Sequence, residues 1–371
     1  MPDLAYYTPV LLLSSAIATA AAGDFAAHVL DYAPAPGQFV NNTSFNDPAR
    51  ALGAPVGGGT ISADNTSIVT LGGFGGSITL AFDEPVFDDP CNPFGLDAIV
   101  FGNAFWVLEN PQRRFAEAAT IEISRDDNAN GIADDAWYLI RGSSLGDMPI
   151  DDFETREWDN IPGNALPPSN VAWFPLGAMS PLLTGAFRLA ALEISILNNG
   201  GAMTENFFGY GELSPVLVLG DIDADNAVED PLADPAEFYT NPDNPREVGI
   251  TTGSGGGDAF DIAWAVDPLT GERAPIDAFD FIRITTAVDF IAGPLGELSA
   301  EIDAVSDVRA QPTFYEIDDK TGVDLEDLYA WFHANQRDLN GDLLIDAQDT
   351  RALARCVRAH EPDDVLQGGD P

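Results

Sequence analysis

Oxygen-bearing side chains recur at alternate positions near the C-terminal end of the chain, in the stretch DLNGDLLIDAQD. Taken as a twelve-residue loop, the stretch matches the ligand order of an EF-hand calcium loop, at positions 1, 3, 5, 7, 9 and 12. The predicted ligands are the carbonyl oxygen of Leu344 and the side chains of Asp338, Asn340, Asp342, Asp346 and Asp349. Alternate residues of a curled loop point inward, where they can surround a hard cation. The stretch therefore predicts a calcium site.

Position 6 of this loop departs from the pattern. Such loops normally carry glycine there, because the backbone turns with a positive φ, but this chain has Leu343. A left-handed conformation costs a non-glycine residue roughly 1–2 kcal/mol. We therefore expect a weaker site than a consensus loop, or a turn reshaped around Gly341. The alternative is a solvated acidic turn, in a chain with 60 Asp and Glu.

A second acidic loop, RDDNANGIADDAW, lies between two predicted strands that end at Ser124 and begin at Trp137. Gly131 falls where an EF-like loop makes its sharp turn. The candidate ligands are Asp126, Asn128, Asn130, Asp134 and Asp135. The pattern predicts a calcium loop without flanking helices, and the alternative is a plain polar hairpin.

A third acidic segment, DIDADNAVED, follows a predicted strand from Val216 to Leu219. Its candidate calcium ligands are Asp221, Asp223 and Asp225, because the carboxylates again alternate along the chain. After these residues the segment departs from any fixed loop template. This calcium prediction therefore rests on three side chains.

Charge limits the partners of the whole chain. Its 371 residues include 60 Asp and Glu but only 16 Lys and Arg, which gives a formal net charge of -44. Such a surface repels nucleic acid and anionic membranes, so neither is an expected partner. It attracts divalent cations, although a saline habitat would favour the same composition. With 45% hydrophobic residues, the chain is long enough for one large core or two smaller ones.

Residues 1–22 are predicted to be a signal peptide. The run from Val10 to Ala22 is small and aliphatic and ends in three alanines, the pattern of a signal core with its cleavage site. The run is too short to anchor the chain across a bilayer, so stable membrane insertion is not expected. The preceding residues contain Asp3 and no Lys or Arg, which is atypical, and a buried N-terminal helix is the alternative. A secreted, extracellular or bacterial cell-surface location is the favoured interpretation.

Short apolar stretches alternate with Gly, Pro, Asp and Asn turns from residue 24 to residue 312. Apolar residues recur there with a period of two, as in half-buried strands. The predicted strands centre on 78–82, 121–123, 192–196, 260–266 and 282–284. The fold class is therefore predicted as mainly β, with an antiparallel jelly-roll-like β-sandwich in this region.

Residues 313–361 carry two predicted amphipathic helices, each preceded by an acidic loop. Apolar residues recur at helical spacing in two sets: Leu325, Leu328, Tyr329 and Phe332, then Leu353, Cys356, Val357 and His360. Aligning VDLED with IDAQD gives a tandem repeat of about 22 residues. The first loop has Lys320 at a ligand position, and an ammonium cannot bind calcium. Of the two loops in this repeat, only the second, from Asp338 to Asp349, is therefore expected to bind calcium tightly. Residues 362–371 are expected to form a flexible tail.

The duplicated loop-helix unit, with Asp at position 12 and a spacing of about 22 residues, resembles a type I dockerin over residues 315–361. The resemblance implies a small α-helical, EF-hand-like module that binds a cohesin-like domain. It also implies two calcium ions, which the departures at Leu343 and Lys320 do not favour.

Most of residues 29–309 also resemble an uncharacterised family of secreted bacterial surface proteins. The segments that carry this resemblance include ALGAP, GGSITLAFDEPV, DAIVFGNAFW and GGDAFDIAWAVD. That family has no assigned catalytic residues to carry over, so the resemblance implies location and β architecture.

The cysteines and histidines predict little chemistry. Cys91 and Cys356 are expected to belong to different domains and to form no disulfide framework. His28, His333 and His360 are scattered, which leaves little basis for a Ser-His-Asp triad or a zinc site. His360 is expected to be a packing residue.

Two classes of function remain open. The favoured one is a secreted, non-catalytic, calcium-binding surface protein that binds a polysaccharide or a cell-surface glycan. Sugar-stacking candidates are Trp106, Trp137, Trp158 and Trp173, although aromatic rings are more often buried. The alternative is a polysaccharide-active enzyme, a glycoside hydrolase carrying the same module. It would need two carboxylates, for which Glu122 and Glu205 are conceivable.

Overall fold

The computed structural model describes residues 23–111, 114–142, 208–287, 297–318, 320, 322–333 and 336–360. The predicted signal peptide (1–22), the predicted strand at 192–196 and the predicted tail (362–371) lie outside these residues. So do Trp158, Trp173 and Glu205. The described part is mainly β, with antiparallel sheets and few helices.

The largest sheet has seven strands: β1 (His28–Ala33), β3 (Ser77–Phe87), β12 (Ala278–Thr286), β7 (Ala119–Ser124), β8 (Trp137–Ile140), β11 (Ala265–Val266) and β9 (Tyr210–Gly211). The first six are neighbours in that order, and β9 also pairs with β7. All of these pairs are antiparallel.

A second sheet has four antiparallel strands, in the order β10 (Asp258–Phe260), β4 (Ala98–Gly102), β13 (Glu301–Asp307) and β2 (Val69–Thr70). A short separate ladder pairs β5 (Phe105–Trp106) with β6 (Arg114–Phe115).

The two larger sheets share one buried apolar cluster. It contains Leu80 and Ile282 from the first sheet and Val305 from the second. Phe260 of β10 stacks on Phe279 of β12, with 6.1 Å between ring centroids. Apolar contacts therefore connect one sheet to the other.

The predicted strands at 78–82, 121–123 and 282–284 are confirmed and lie in β3, β7 and β12. Burial in β3 differs from the expected half-buried pattern. Every residue from Ser77 to Phe82 is buried, on both faces of the strand. Period two therefore located the strand but understated its burial.

The strand predicted at 260–266 is wrong as a continuous element. A 3-10 turn from Ile262 to Trp264 separates β10 from β11. The Asp261 carboxylate caps this turn by accepting the N–H of Ala263 at 2.6 Å. The strand predicted from Val216 is likewise replaced by an isolated bridge to Gly256.

The α-helices of the described residues are α1 (Pro235–Phe238), α2 (Leu325–His333) and α3 (Ala347–His360). Shorter 3-10 turns cover Pro48–Ala51, Pro93–Gly95, Val107–Glu109, Ile262–Trp264 and Pro312–Tyr315. Helices α2 and α3 occupy the interval where the sequence predicts two helices.

The predicted apolar face of α2 is wrong. Leu325, Tyr329 and Phe332 are 58%, 68% and 59% exposed. Asp327 and Trp331, four residues apart on the helix, are buried instead. The Asp327 carboxylate accepts backbone N–H hydrogen bonds from the preceding loop, and Trp331 packs in the buried cluster. These two contacts set which face of the helix points inward.

Helix α3 buries Leu353, Cys356 and Val357 as predicted. His360, expected to be a packing residue, is exposed. Its Nδ1 atom lies 3.2 Å from the Cys91 sulfur at the end of the helix.

The cysteines form a disulfide, which corrects the expectation that they give no covalent framework. Cys91 and Cys356 are bonded across 265 residues of sequence, with 4.8 Å between their Cα atoms. Cys91 packs in the same buried cluster as Tyr315 and Trp331. The bond therefore joins the described strands and loops up to residue 312, the β region, to α3. No local spacing could indicate this pairing.

No helix in the described ranges is both long enough and apolar enough to cross a membrane.

Candidate metal centre

The Asp349 carboxylate organises the loop from Asp338 to Asp349. It is fully buried in the first turn of α3. Its oxygens accept backbone N–H groups from Leu339 at 2.7 Å, from Asn340 at 3.4 Å and from Asp346 at 2.6 Å. These bonds connect both ends of the loop to the helix, so the predicted ligand at position 12 closes the loop.

The turn at position 6 has the expected left-handed backbone. Leu343 has a φ of 65° and Gly341 a φ of 70°. The Asp338 carboxylate accepts the N–H of Gly341 at 2.8 Å and that of Leu343 at 2.7 Å. The Leu343 side chain is 52% exposed, so little burial offsets a backbone cost of roughly 1–2 kcal/mol.

The remaining predicted ligands of this loop bond to their neighbours. Asn340 Nδ2 donates to Asp342 Oδ2 at 3.1 Å, and Asp342 Oδ1 accepts the N–H of Leu344 at 2.9 Å. Asp346 accepts the N–H of Gln348 at 2.6 Å. No three of the acids in this fully described loop have oxygens that all lie within 4.8 Å of one another. The loop is curled, but its carboxylates do not converge.

Negative charge nevertheless accumulates around Asp338. Burial raises the pKa of Asp338, and the charges of Asp349 and Asp342 raise it further. The N–H groups of Leu343 and Gly341 oppose this rise. A cation beside Asp338 would reverse the effect of burial and of the like charges.

The preceding loop, from Glu316 to Asp327, is built by the same contacts. The Asp327 carboxylate accepts N–H groups from Ile317 at 2.6 Å, from Asp318 at 3.2 Å and from Asp324 at 2.8 Å. The corresponding donors of the second loop lie 22 positions later, since 317, 318 and 324 become 339, 340 and 346. The sequence repeat is therefore a repeat of hydrogen bonds.

Lys320 occupies in the first loop the position that Asp342 holds in the second. Its ammonium bonds to the carboxylates of Asp318, at 2.8 Å, and of Glu326. The bond from Lys320 lowers the pKa of Asp318, and the same bond raises the pKa of Lys320. A positive charge of the chain thus stands among the acids of the first loop.

The loop between β7 and β8 starts and ends where the sequence predicts. The Asp126 carboxylate accepts the N–H of Asn130 at 3.0 Å and that of Gly131 at 2.7 Å, and Gly131 has a φ of 71°. Side-chain amides of Asn128 and Asn130 bond to Asp134 and Asp135; the distances are 3.2 to 3.4 Å. The predicted ligands are brought together, with amide groups lying between the carboxylates.

The loop that begins at Asp221 brings its acids closest together. Asp221, Asp223, Asp225 and Glu229 have carboxylate oxygens that all lie within 4.8 Å of one another. Asp221 is fully buried, and this burial raises its pKa. Its Oδ1 atom has no hydrogen-bond partner in the described part of the chain. Glu229, which the sequence pattern did not include, completes the cluster.

The second C-terminal loop lies against the β region. A Cβ atom added to Gly341 would come within 3.1 Å of the Phe94 ring and 3.2 Å of the Asn244 side chain. A cavity of about 270 Å³ lies beside this contact and is lined in part by Asp342 and Arg355. Glycine at 341 thus serves both the turn and the close approach.

A groove of about 480 Å³ lies on one face of the seven-stranded sheet, beside the loop from Asp126 to Asp135. Strand pairing places Asp31, Thr79, Arg283 and Glu122 in one row across β1, β3, β12 and β7. The Arg283 guanidinium lies 3.9 Å from the centre of the Trp137 ring and pairs with Glu122 at 3.6 Å. Burial raises the pKa of Glu122, while Arg283 lowers it.

Of the sugar-stacking candidates within the described residues, only Trp137 lines this groove. Trp106 is 8% exposed and belongs to the short β5–β6 ladder, so it is a buried residue.

Three buried glutamates escaped the sequence analysis. Glu117, Glu212 and Glu301 are close together inside the β region although they are far apart in sequence. The sequence signal is weak: an acid among mostly small or apolar residues, as in GYGELS around Glu212.

No protein-family model matches the chain, and no curated protein matches it. The dockerin and surface-protein resemblances therefore stay predictions.

Proposed function

We propose that the protein is a secreted, non-catalytic, calcium-binding protein whose residues 313–361 form a dockerin-like attachment module. The main support is the matching set of backbone N–H hydrogen bonds that the Asp327 and Asp349 carboxylates accept, each from its own loop. It supports two copies of one loop-helix unit. Lys320 neutralises the first copy, and calcium neutralises the second.

The fold proposed for residues 24–312 is an antiparallel, jelly-roll-like β-sandwich. The buried cluster to which both larger sheets contribute supports two packed layers. The acidic loops beginning at Asp126 and Asp221 would then bind further calcium ions at the edges of these layers. The unpartnered, buried oxygen of Asp221 supports the second of these ions.

The disulfide supports the proposed location. Structural disulfides persist in oxidising compartments and are rare in the cytosol. The bond between Cys91 and Cys356 therefore suits a secreted or cell-surface protein. Extracellular calcium is also concentrated enough for loops with imperfect ligand sets.

The exposed face of α2 supports a protein partner for the module. Leu325, Tyr329 and Phe332 are more than half exposed, and large apolar side chains in one exposed stretch often mark an interaction site. A cohesin-like domain is the proposed partner because it follows from the dockerin resemblance. Calcium in the adjacent loops would fix the orientation of this face.

The groove beside Trp137 is the proposed glycan site. Its volume of about 480 Å³ is in the range of small-ligand sites. Thr79, Arg283 and Glu122 offer polar groups for sugar hydroxyls along one row of the sheet. Trp137 offers a ring for stacking once Arg283 moves aside.

One observation favours the alternative, a glycoside hydrolase. Glu122 and Asp31 both line the groove, and most glycosidases use two carboxylates. The raised pKa of Glu122 would suit a general acid.

The test is to measure glycan-array binding and reducing-sugar release by the full chain, each in calcium and in chelator. We expect binding without sugar release, and weaker binding after Trp137→Ala, since the ring offers the large apolar face on which a sugar would stack. Phe87→Ala is the matched control, because Phe87 is 56% exposed and has Arg125 over its ring, but lies outside the groove.

Sugar release that Glu122→Gln abolishes would replace the proposal with the hydrolase. Equal loss in the Trp137 and Phe87 variants would exclude the groove as the binding site. A chain that neither binds nor cleaves any glycan would leave the carbohydrate part of the proposal without support.

A further inference from the structure

Glu117, Glu212 and Glu301 meet inside the β region. Glu117 lies just before β7, Glu212 directly follows β9, and Glu301 begins β13. The first two therefore adjoin the seven-stranded sheet, and the third belongs to the four-stranded sheet. Their side chains are 2%, 0% and 4% exposed, and their oxygens lie within 4.8 Å of one another.

Neutral donors satisfy only part of this glutamate cluster. Gln38 Nε2 donates to Glu117 Oε1 at 3.2 Å, and Asn103 Nδ2 donates to Glu301 Oε2 at 2.7 Å. The backbone N–H of Glu301 donates to Glu212 Oε2 at 2.6 Å. The other oxygen of Glu212, Oε1, is buried without a partner among the described residues. A buried, unsatisfied carboxylate oxygen needs an explanation, which an ion or a water molecule beside it would supply.

The charged groups that influence these carboxylates have the same sign. Glu301 raises the pKa of Glu117, and both of them, with Asp258, raise the pKa of Glu212. Burial is the largest cause in each case and raises the pKa of Glu301 to about 7. Arg114, which is also buried, donates to the Leu213 carbonyl and to Ser214 instead.

The fold leaves room for Glu212 specifically. A Cβ atom on Gly102 of β4 would come within 2.6 Å of Glu212 Cγ, so glycine there lets the side chain enter the interior. An apolar residue at 212 would fill this space without the cost of burying a carboxylate. The arrangement is therefore costly unless something compensates the negative charge.

We propose that Glu117, Glu212 and Glu301 bind a divalent cation of the calcium class inside the β region, with the side-chain oxygens of Gln38 and Asn103 as additional ligands. The amide groups need only rotate, because carbonyl and NH₂ exchange places on a half-turn. Calcium takes about six to eight oxygens in adaptable geometry, which three carboxylates and two amides supply. Histidine and thiolate, which soft metals prefer, are not part of the glutamate cluster.

The ion would connect the two larger sheets. It would join the start of β7 and the end of β9 to the start of β13, which belongs to the other sheet. This site does not depend on the C-terminal module, because none of its ligands comes from residues 313–361.

The test compares the full chain with its Glu117→Gln variant in calcium and in chelator. In chelator the variant should melt at a higher temperature than the parent, because one of three mutually repelling carboxylates is gone. In calcium it should melt at a lower temperature, because a charged ligand is lost. Equilibrium dialysis with calcium should show one ion fewer per chain.

Asp303→Asn is the matched control. Asp303 is 1% exposed, lies on the same strand as Glu301, and burial raises its pKa to about 8, yet it lies outside the glutamate cluster. Its substitution should shift the melting temperature in the same direction in both media and leave the calcium count unchanged.

The proposal is overturned if Glu117→Gln binds as many ions as the parent, or if its melting temperature shifts in the same direction in both media. Either result would mean that protons, and not a metal ion, neutralise the three carboxylates. Glu301→Gln provides a second variant should the first fail to fold. Should neither fold, equilibrium dialysis of a chain carrying Asp126→Asn, Asp223→Asn and Asp342→Lys decides: with the three acidic loops weakened, one tightly bound calcium ion per chain supports the site and none contradicts it.

Discussion

Two loops, from Glu316 to Asp327 and from Asp338 to Asp349, share one backbone arrangement. They differ in the charge of the residue at position 5. In each, a buried aspartate of the following helix accepts three backbone N–H groups from the loop. The first loop has the ammonium of Lys320 where the second has the carboxylate of Asp342. One copy carries its own cation, and the other has only acids.

The residue that closes each loop is therefore not the residue that neutralises its charge. The helix aspartate closes both loops, whatever the charge at the centre. Neutralisation then comes from a side chain in one loop and, in our proposal, from calcium in the other. If the proposal holds, one copy of the repeat keeps its fold without binding a metal ion.

The largest expected effect comes from removing the closing aspartate. Asp327→Ala and Asp349→Ala should each cost about 3 kcal/mol, because three N–H donors lose their acceptor. Urea unfolding of the full chain, followed by helical circular dichroism, measures this loss. Asp327→Asn keeps one acceptor oxygen and should recover part of the stability. A cost below about 1 kcal/mol for either alanine variant would show that other contacts close the loops.

Exchanging the central residues should exchange the calcium dependence. Asp342→Lys should remove the calcium response of the second loop, lowering its affinity by about 100-fold or more, since ligand charge sets affinity. Lys320→Asp should add a calcium response to the first loop. Calcium titrations of each full-length variant, followed by circular dichroism, measure both changes. If Asp342→Lys responds to calcium like the parent, the second loop is not the site.

A smaller effect is expected at position 6. Leu343→Gly should stabilise the full chain by about 1 kcal/mol, because glycine adopts a positive φ without strain and the leucine is 52% exposed. Calcium affinity should rise severalfold in parallel. Leu344→Gly is the control, since Leu344 is 59% exposed and does not have a positive φ. It should destabilise the chain slightly, and equal effects in the two variants would argue against strain at Leu343.

The smallest expected effect is an opposite response of the two loops to pH in the absence of calcium. Burial raises the pKa of Asp338, so its contribution favours folding at low pH and is lost as pH rises through the raised pKa. Lys320 lowers the pKa of Asp318, so that contribution is present above the ordinary value and is lost as pH falls. Melting curves of Asp338→Asn and Asp318→Asn between about pH 3 and pH 6 should deviate from the parent in opposite senses. Parallel deviations would contradict the assigned charges.

Local patterns predicted several elements correctly, although not the 3-10 turn Ile262–Trp264 that interrupts the strand expected at 260–266. The spacing of oxygen ligands located the turn at Leu343, and the alternation around Ile121 and Ile282 located β7 and β12. In both cases the signal and the structure lie within about ten residues of each other, so a sequence window contains the cause.

Features that depend on distant contacts were missed or wrong. The inward face of α2 follows from Asp327 and Trp331 rather than from the apolar spacing, and the Cys91–Cys356 bond spans 265 residues. The glutamate cluster also forms only when two sheets meet. Tertiary packing decides such features, and the sequence pattern does not record it.

Amide hydrogen exchange of the full chain, measured by mass spectrometry with and without calcium, distinguishes the two loops. Peptides from the second loop contain the N–H groups of Leu339, Asn340 and Asp346, and peptides from the first contain those of Ile317, Asp318 and Asp324. We expect calcium to slow exchange at least tenfold in the second loop and to leave the first unchanged. Equal protection of both loops, or no protection of either, would contradict calcium binding by the second loop alone.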